Sequence, residues 1–284
     1  IPDKFDYLVY GERESSGYRQ WHYQETLSAA KALAAALEAS SHTYVDTIIY
    51  DIDETTYYVI DDILIQDAVD AASSGDTVLV DSGTYTESVT IMKSLKLKAP
   101  SGATIVSPSS PEDVYVEESS REYEYTLGLF GGTYDSGSDK VSGPGTISVE
   151  IEGFTIDADN FVPAGRWSSI LCRNVNDDAG FNASIHDNTL VNISVDGKET
   201  FGILGYGKMS IRVENNTIDQ FARGGIGLYD GENEVIGNTV IGPGMGVDVT
   251  WAPNGIQFGY GASGLIQSND VSGCGWPGTE WAGT

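Results

Sequence analysis

The sequence predicts an all-β fold in which the chain coils into a parallel β-helix, a solenoid of stacked rungs, behind an N-terminal α/β extension and a capping helix. Three observations favour this fold. Four short segments in the second half of the chain align on an asparagine, and Gly-Ile pairs recur upstream of three of them at a nearly constant distance. Glycine is also far more frequent than proline, 34 residues against 9, which is typical of folds with many tight turns.

The aligned segments define two aliphatic columns around a polar one. They are IHDNTL (185–190), VENNTI (213–218), VIGNTV (235–240) and IQSNDV (266–271), and IEGFTI (151–156) is a fifth with Phe154 in the asparagine place. An asparagine among inward aliphatic residues costs free energy unless its amide is hydrogen-bonded. We therefore predict a structural ladder in which each amide bonds to the neighbouring rung. Its members are Asn188, Asn216, Asn238 and Asn269.

A second column consists of the pairs Gly202-Ile203, Gly225-Ile226 and Gly255-Ile256. The asparagines are separated by 28, 22 and 31 residues, and the extra residues all fall between the end of one segment and the next Gly-Ile pair. A coil that keeps its rungs and varies one corner loop has this pattern. A period in this range with β-branched columns indicates a parallel β-helix, whose rungs stack at about 4.8 Å.

The composition bounds the function. The chain of 284 residues carries 15 basic and 42 acidic residues, a net charge of −27, which disfavours nucleic acid and anionic lipid as partners. No apolar run reaches the roughly 18–20 residues of a membrane span. The sequence starts at Ile1-Pro2 without a methionine, and we interpret this as favouring export after signal cleavage over an arbitrary start, hence an extracellular or cell-surface location.

Three Asn-x-Ser/Thr sequons agree with export. They lie at Asn182, Asn192 and Asn215, and each is a candidate glycosylation site in a cell that performs this chemistry. The alternative is that they arise by chance in a chain rich in Asn, Ser and Thr.

Residues 61–100 predict a capping helix at 62–73, begun by Asp61 or Asp62 and ended by Gly75, and then short strands at 77–80, 88–91 and 95–98. This segment resembles the beginning of secreted right-handed parallel β-helix proteins of the pectate-lyase-like superfamily, in which a helix caps the first rung. Residues 251–273 also look like a recurring rung of that superfamily. The resemblance covers 61–284 and implies a right-handed coil. It leaves the function open, since the superfamily includes lyases, hydrolases, adhesins and surface-layer proteins. The matching residues are Ile65-Gln66, Ala68 to Ala72, Gly75 to Val78, Gly83 to Tyr85, Glu87 and Lys93 to Leu95.

Residues 1–60 lie outside the resemblance. A helix is predicted at about 25–40 and two strands within 47–60, and eight of the chain's 16 tyrosines fall in this region. The region is interpreted either as a cap on the first rung or as an interaction arm, since tyrosine is favoured at interfaces. Residues 109–145 are interpreted as a long insertion between early rungs.

No catalytic residue is assigned. The resemblance implies that hydrolases of this fold carry clustered aspartates with Gly-His-Gly and Arg-x-Lys motifs, and neither motif occurs here, although Asp177-Asp178 is present. Lyases of this fold use a Ca²⁺-binding aspartate cluster with an Arg or Lys base. No cofactor is expected apart from Ca²⁺ at carboxylate loops, for which no position is assigned, and the metal site stays unknown. The residues that could imitate the lyase set are Asp196, Lys198, Glu199, Asp219 and Arg223.

Aromatic residues flank the Gly-Ile strands. Tryptophan and tyrosine presented along a rigid edge stack on sugar rings or bury into a partner protein. The alternative is that they pack beneath their own loops. The candidates are Trp167, Phe201, Phe221 and Trp251 before the strands, Tyr206, Tyr229 and Tyr260 after them, and Trp281 close to the last residue.

The predicted function is an extracellular structural or adhesive solenoid, a subunit of a surface layer, sheath or filament. An aromatic residue stands shortly before the Gly-Ile strands, and Trp281 has this position relative to a further strand that would begin where the sequence stops. This predicts an open last rung around 255–271. This rung is expected to pair head-to-tail with the N-terminal strands of another copy, within 47–60, so that a homopolymer forms. The alternative is a polysaccharide lyase or glycoside hydrolase that acts on the aromatic edge.

Overall fold

In a computed structural model of the chain, the structure describes residues 7–13, 18–39, 44–51, 55–60, 63–143, 145–159, 161–163, 165–175, 180–193, 199–244 and 252–275. The described residues are predominantly β, with 25 strands and two short helices. Neither of these helices is long and apolar enough to cross a membrane.

The helices are α1 (Leu27–Glu38) and α2 (Ile65–Ala71). The strands are β1 (Tyr7–Arg13), β2 (Tyr18–Gln24), β3 (Tyr44–Asp51), β4 (Thr56–Val59), β5 (Thr77–Val80), β6 (Thr84–Thr86), β7 (Val89–Ile91), β8 (Leu95–Val106), β9 (Glu112–Val116), β10 (Arg121–Gly131), β11 (Thr133–Asp135), β12 (Lys140–Ser142), β13 (Ser148–Asp157), β14 (Arg166–Asn174), β15 (Asn182–His186), β16 (Thr189–Val191), β17 (Glu199–Tyr206), β18 (Ser210–Glu214), β19 (Thr217–Asp219), β20 (Gly224–Tyr229), β21 (Glu232–Ile236), β22 (Thr239–Ile241), β23 (Asn254–Gly259), β24 (Ser263–Gln267) and β25 (Asp270–Ser272).

The strands form two sheets. Sheet A has 16 strands in the order β2-β1-β3-β4-β5-β8-β13-β15-β18-β21-β24, with β6, β16, β19, β22 and β25 beside this path. Sheet B has nine strands in the order β11-β12-β9-β10-β14-β17-β20-β23, with β7 beside β10. From β13 onward the chain alternates between the sheets, and each strand pairs in parallel with its counterpart one repeat earlier.

The predicted columns are in register. In sheet A, Val213 pairs with Val235 and Ile218 with Val240, and in sheet B Ile203 pairs with Ile226, which pairs with Ile256. The buried members of all three columns belong to one continuous core between the sheets. The repeats read from the sequence are therefore successive layers of the two sheets.

The glycine before each inward isoleucine is required by close packing. A Cβ on Gly202 would lie 2.6 Å from Ile218 Cγ2 and 2.6 Å from the carbonyl oxygen of Gly225. A Cβ on Gly225 would overlap Val240 in the same way one layer further along. The Gly-Ile pattern thus marks the place where sheet B approaches the aliphatic column of sheet A.

The N-terminal extension is part of sheet A. Strand β3 lies between β1 and β4, and β4 pairs in parallel with β5. Helix α1 is shorter than predicted and is capped by Thr26, whose hydroxyl accepts from the Ala29 N–H at 3.2 Å. Since β3 and β4 are each paired on both sides within the same chain, the described residues of the predicted contact at 47–60 are not available as a free edge, contrary to the sequence-based expectation.

Helix α2 begins at Ile65 instead of near residue 62 and has no side-chain cap from Leu64; Asp61 and Asp62 lie outside the described residues. A later residue takes over the cap, because Glu87 accepts from the Ile65 N–H at 2.8 Å and the Gln66 N–H at 3.0 Å. At the other end, the Nζ of Lys93 donates to three carbonyls of α2 and its C-cap. An anion at the N-terminus and a cation at the C-terminus suit the helix dipole.

The predicted insertion at 109–145 is only partly outside the repeat. Strand β10 is a layer of sheet B, because it pairs in parallel with β7 and with β14. The remaining strands of the segment, β9, β11 and β12, extend sheet B beyond β10, and buried side chains of β9 and β12 pack on the outward residues of β10, β14 and β17 in a second core. This segment contains no asparagine that aligns with the repeat, so the sequence did not predict β10 as a layer of sheet B.

Candidate functional site

The asparagine ladder is present as predicted. The backbone N–H and the Nδ2 of Asn188 both donate to Asn216 Oδ1 at 3.0 Å. Asn216 donates in the same way to Asn238, at 2.9 and 3.0 Å, and Asn238 to Asn269, at 2.9 and 3.0 Å. The Phe154 N–H donates to Asn188 Oδ1 at 3.0 Å and begins the series. These groups satisfy one another, so the ladder is structural.

The residue before each ladder position has a left-handed backbone, which sequence reasoning missed. The φ values are 56° at Asp187, 56° at Asn215, 68° at Gly237 and 57° at Ser268. Asp, Asn and Gly tolerate this conformation best, and their presence at three of the four positions was the available signal. The sequon residues Asn182, Asn192 and Asn215 are all exposed, and Asn192 donates to Asp157 Oδ1 at 2.8 Å.

The aromatic residues before the Gly-Ile strands are not presented at an edge. Trp167, Phe201 and Phe221 are buried, so in this conformation they pack in the protein and cannot stack on a ligand. Trp251 and Trp281 lie outside the described residues. For the first three positions the alternative interpretation, packing beneath the protein's own chain, is therefore the correct one.

The tyrosines after the strands form a row across adjacent layers. The rings of Tyr206 and Tyr229 are 4.8 Å apart, and those of Tyr229 and Tyr260 are 5.3 Å apart and perpendicular. Tyr206 and Tyr229 are largely buried, whereas Tyr260 is 75% exposed. Burial raises the pKa of Tyr229 to about 12, so its hydroxyl stays protonated at neutral pH. The row thus ends in an exposed ring that is supported from one side.

A cleft of about 220 Å³ lies beside this tyrosine row. Glu118 approaches it from the turn between β9 and β10, where it forms an ion pair of 2.7 Å with the buried Arg173. Sequence reasoning missed Glu118 and Arg173, because nothing in the repeat indicates that the covering strands reach this edge. The residues that line the cleft, here called the tyrosine cleft, are Glu118, Tyr206, Gly207, Lys208, Tyr229, Asp230 and Tyr260.

The hydroxyl groups of Tyr206 and Tyr229, the two buried members of the row, are held by hydrogen bonds. Tyr206 Oη lies 3.2 Å from Tyr123 Oη, and Tyr229 Oη donates to Gln257 Oε1 at 3.1 Å. The same Gln257 oxygen accepts from Asn254 Nδ2 at 3.1 Å. These bonds fix the ring orientations before any ligand binds, which reduces the entropy lost on binding.

Two of the described residues considered for a lyase-like set, Glu199 and Arg223, are engaged in other contacts. Glu199 is engaged by Arg166, whose Nε and Nη2 donate to it at 2.5 and 2.7 Å. Arg223 donates to the Ala252 carbonyl at 3.2 Å. Asp177, Asp178, Asp196 and Lys198 lie outside the described residues.

Within the described part of the chain, one group of side chains has the spacing of a metal site. Glu150, Glu152 and His186 each place a ligand atom within 4.8 Å of the others on the outer face of sheet A. The ammonium of Lys98 already bridges the two carboxylates, at 2.7 and 2.8 Å. Burial alone lowers the pKa of His186, but hydrogen bonds with Asp187 and Glu150 outweigh it and leave the pKa above its usual value. We therefore describe the group as a salt-bridge network.

Comparisons with known proteins give no match: no protein-family model, no curated protein and no solved structure is similar to this chain. Functional assignment therefore depends on the geometry of the tyrosine cleft and of the sheets.

Proposed function

We propose that the protein is an extracellular structural or adhesive solenoid, a right-handed parallel β-helix that binds polysaccharide at the tyrosine cleft. The alternation of the chain between two sheets and the parallel register of its columns support the coil. The resemblance of residues 61–284 to secreted β-helix proteins supports its hand and its location outside the cell.

A single observation carries the binding role. Tyr260 is 75% exposed, follows directly after β23, and is held perpendicular to the ring of Tyr229. An exposed aromatic ring on a rigid support offers a flat apolar face with a polar hydroxyl, which suits the alternating apolar and hydroxylated faces of a sugar. Because the supporting rings are fixed by hydrogen bonds, little conformational freedom is lost on binding.

The test is binding of the full chain to a panel of neutral and uronic-acid polysaccharides, measured by affinity electrophoresis and calorimetry. Loss of the Tyr260 ring in Tyr260→Ala should weaken binding about tenfold, whereas Tyr260→Phe should keep most of it. Tyr23→Ala, which removes a partly exposed tyrosine of β2, is the matched control and should bind as the unaltered protein does. Equal affinity of Tyr260→Ala and the unaltered protein would contradict the proposal.

The same incubations test the alternative function, polysaccharide cleavage, when the released products are analysed. A lyase releases unsaturated chain ends and a glycoside hydrolase releases reducing ends. Release of either product by the full chain, abolished by Tyr260→Ala, would make the cleft an active site, and binding without release supports the adhesive role.

A second role, end-to-end assembly, is favoured by a different observation. The last described rung exposes Ile266 and Val271, although their counterparts one rung earlier, Val235 and Val240, are fully buried. Strand β24 pairs only with β21 within the described residues, and at the other end of sheet A β2 pairs only with β1. We propose that the partner is a second copy whose β2 edge meets this rung, a head-to-tail contact that propagates.

Light scattering over a wide range of protein concentrations tests assembly. Ile266→Lys should abolish polymers because it places a charge in the contact, whereas Ile241→Lys, at a comparably exposed position in β22, should not. A full chain that stays monomeric at high concentration contradicts the assembly role and leaves polysaccharide binding untouched.

A further inference from the structure

The outer face of β23 carries a polar pair that extends the tyrosine cleft. Gln257 Oε1 accepts two hydrogen bonds, from Tyr229 Oη and from Asn254 Nδ2, both at 3.1 Å. Because its oxygen is engaged twice, the Nε2 of Gln257 is directed away from both donors. Within the described residues this Nε2 donor and the Oδ1 acceptor of Asn254 have no hydrogen-bond partner, and both residues are partly exposed. One donor and one acceptor thus stand side by side.

This pair lies in line with Tyr260. Asn254 and Gln257 belong to β23 and Tyr260 follows it, so the three span about 20 Å along the strand at roughly 3.3 Å per residue. On the neighbouring strand Asn254 pairs with Gly224 and Gln257 with Gly227, and both glycines are buried. A row with an aromatic ring at one end and paired amides at the other, here called the track, suits a short stretch of a polymer chain.

The charges of the track do not favour an acidic ligand. Glu118 is neutralised by Arg173, and the remaining charged residues of the cleft, Lys208 and Asp230, have opposite signs. The whole chain carries a net charge of −27, so its long-range field repels polyanions. Amide groups, in contrast, donate to and accept from hydroxyl groups without any change of charge.

We propose that the tyrosine cleft continues along β23 as a track for neutral polysaccharides, in which Gln257 Nε2 donates to one sugar hydroxyl and Asn254 Oδ1 accepts from a neighbouring one. This inference rests on the proposed polysaccharide binding and specifies its ligand class. It adds two binding residues that the aromatic pattern did not indicate.

The test compares a neutral glucan or mannan with polygalacturonate and alginate, at low and at physiological salt, by calorimetry on the full chain. Gln257→Glu keeps the oxygen that accepts from Tyr229 and Asn254 but removes the Nε2 donor. We expect it to bind the neutral polymer about tenfold more weakly, the loss of one hydrogen bond from a polar site. Gln220→Glu adds the same charge at an exposed position after β19, outside the cleft and the assembly rung, and should bind as the unaltered protein does.

The outcomes separate this inference from the proposed function. Tighter binding of neutral than of acidic polymers, weakened by Gln257→Glu alone, supports the track. If acidic polymers bind as tightly as neutral ones through Tyr260, or if Gln257→Glu binds normally, the track is wrong and the adhesive role stands. If no polysaccharide binds the unaltered chain, both the track and the proposed polysaccharide binding are wrong. Thermal unfolding by circular dichroism verifies that each variant is folded.

Discussion

The inner rungs and the last described rung share one sequence pattern and differ in burial. In the inner rungs the aliphatic columns contain Val235 and Val240, which are fully buried, whereas their counterparts in the last rung, Ile266 and Val271, are 48% and 44% exposed. Asn238 is buried and its counterpart Asn269 only partly so. Every member of an inner rung has a neighbour on both sides, and the described members of the last rung have one on a single side only.

The residue pattern alone therefore does not stabilise a rung. Burial of a column residue is supplied by the next rung, so the stability of such an array is a sum over nearest neighbours. Equivalent substitutions should therefore cost much more in an inner rung than in the last one. Substitutions at matched positions of an inner rung and of the last described rung test this difference.

The largest effect is expected in the ladder. Asn216→Leu should lower the free energy of unfolding by about 3 kcal/mol, because the two donors of Asn188 lose their buried acceptor and the Ile185 carbonyl loses its donor. Asn269→Leu should cost about 1 kcal/mol, since Asn269 is itself partly exposed and water can enter where its amide lies. Urea denaturation of both variants measures the difference, and equal midpoints would show that the last rung is as protected as the inner ones.

The glycine column should show the next largest difference. Gly225→Ala forces a methyl group against Val240, which is buried and cannot move away, and we expect a cost of about 2 kcal/mol from overpacking. Gly255→Ala meets Val271, whose exposed side chain can yield, and should cost less than half as much. Thermal unfolding of the two variants decides, and a larger loss in Gly255→Ala would contradict this explanation.

Truncation of a valine to alanine, in an inner rung and in the last described rung, should give a smaller difference in the free energy of unfolding. Val240→Ala should cost about 1.5 kcal/mol because it removes two buried methyl groups, whereas Val271→Ala removes partly solvated ones and should cost about 0.5 kcal/mol. The ratio of the two values in chemical denaturation measures how much of the burial comes from the following rung. A ratio near one would mean that Val271 is covered in solution.

The smallest effect concerns the outer face of sheet A. The pKa of His186 is raised in the folded protein, so the stability that it contributes is present below its ordinary pKa of about 6.5 and is lost as the pH rises through the folded value. Melting temperatures between pH 5.5 and 8.5 should therefore fall slightly more steeply for the unaltered protein than for His186→Gln. Parallel curves would show that the histidine contributes nothing to this dependence.

Much of the repeat could be predicted from the sequence, because close packing leaves few residue types at an inward position. Asn216 and Ile218 were placed correctly since only an amide that bonds to its neighbours, and only an aliphatic side chain, fit there. The tyrosine cleft was predicted only in part. Tyr260 was found, but Phe201 follows the same pattern and is buried, and Glu118 reaches the cleft from a covering segment without any repeat signal.

The period, the inward columns and the ladder follow from the sequence alone, because each depends on residues within one rung and its neighbours. The exposure of the aromatic rings, the capping of α2 and the set of residues that share the cleft depend on the tertiary structure, because each of these joins segments far apart in the chain. Glu87 caps α2 from 22 residues away, and Arg173 meets Glu118 across the face of sheet B. Local spacing carries no information about such contacts, since they depend on how the covering strands fold back onto the sheet.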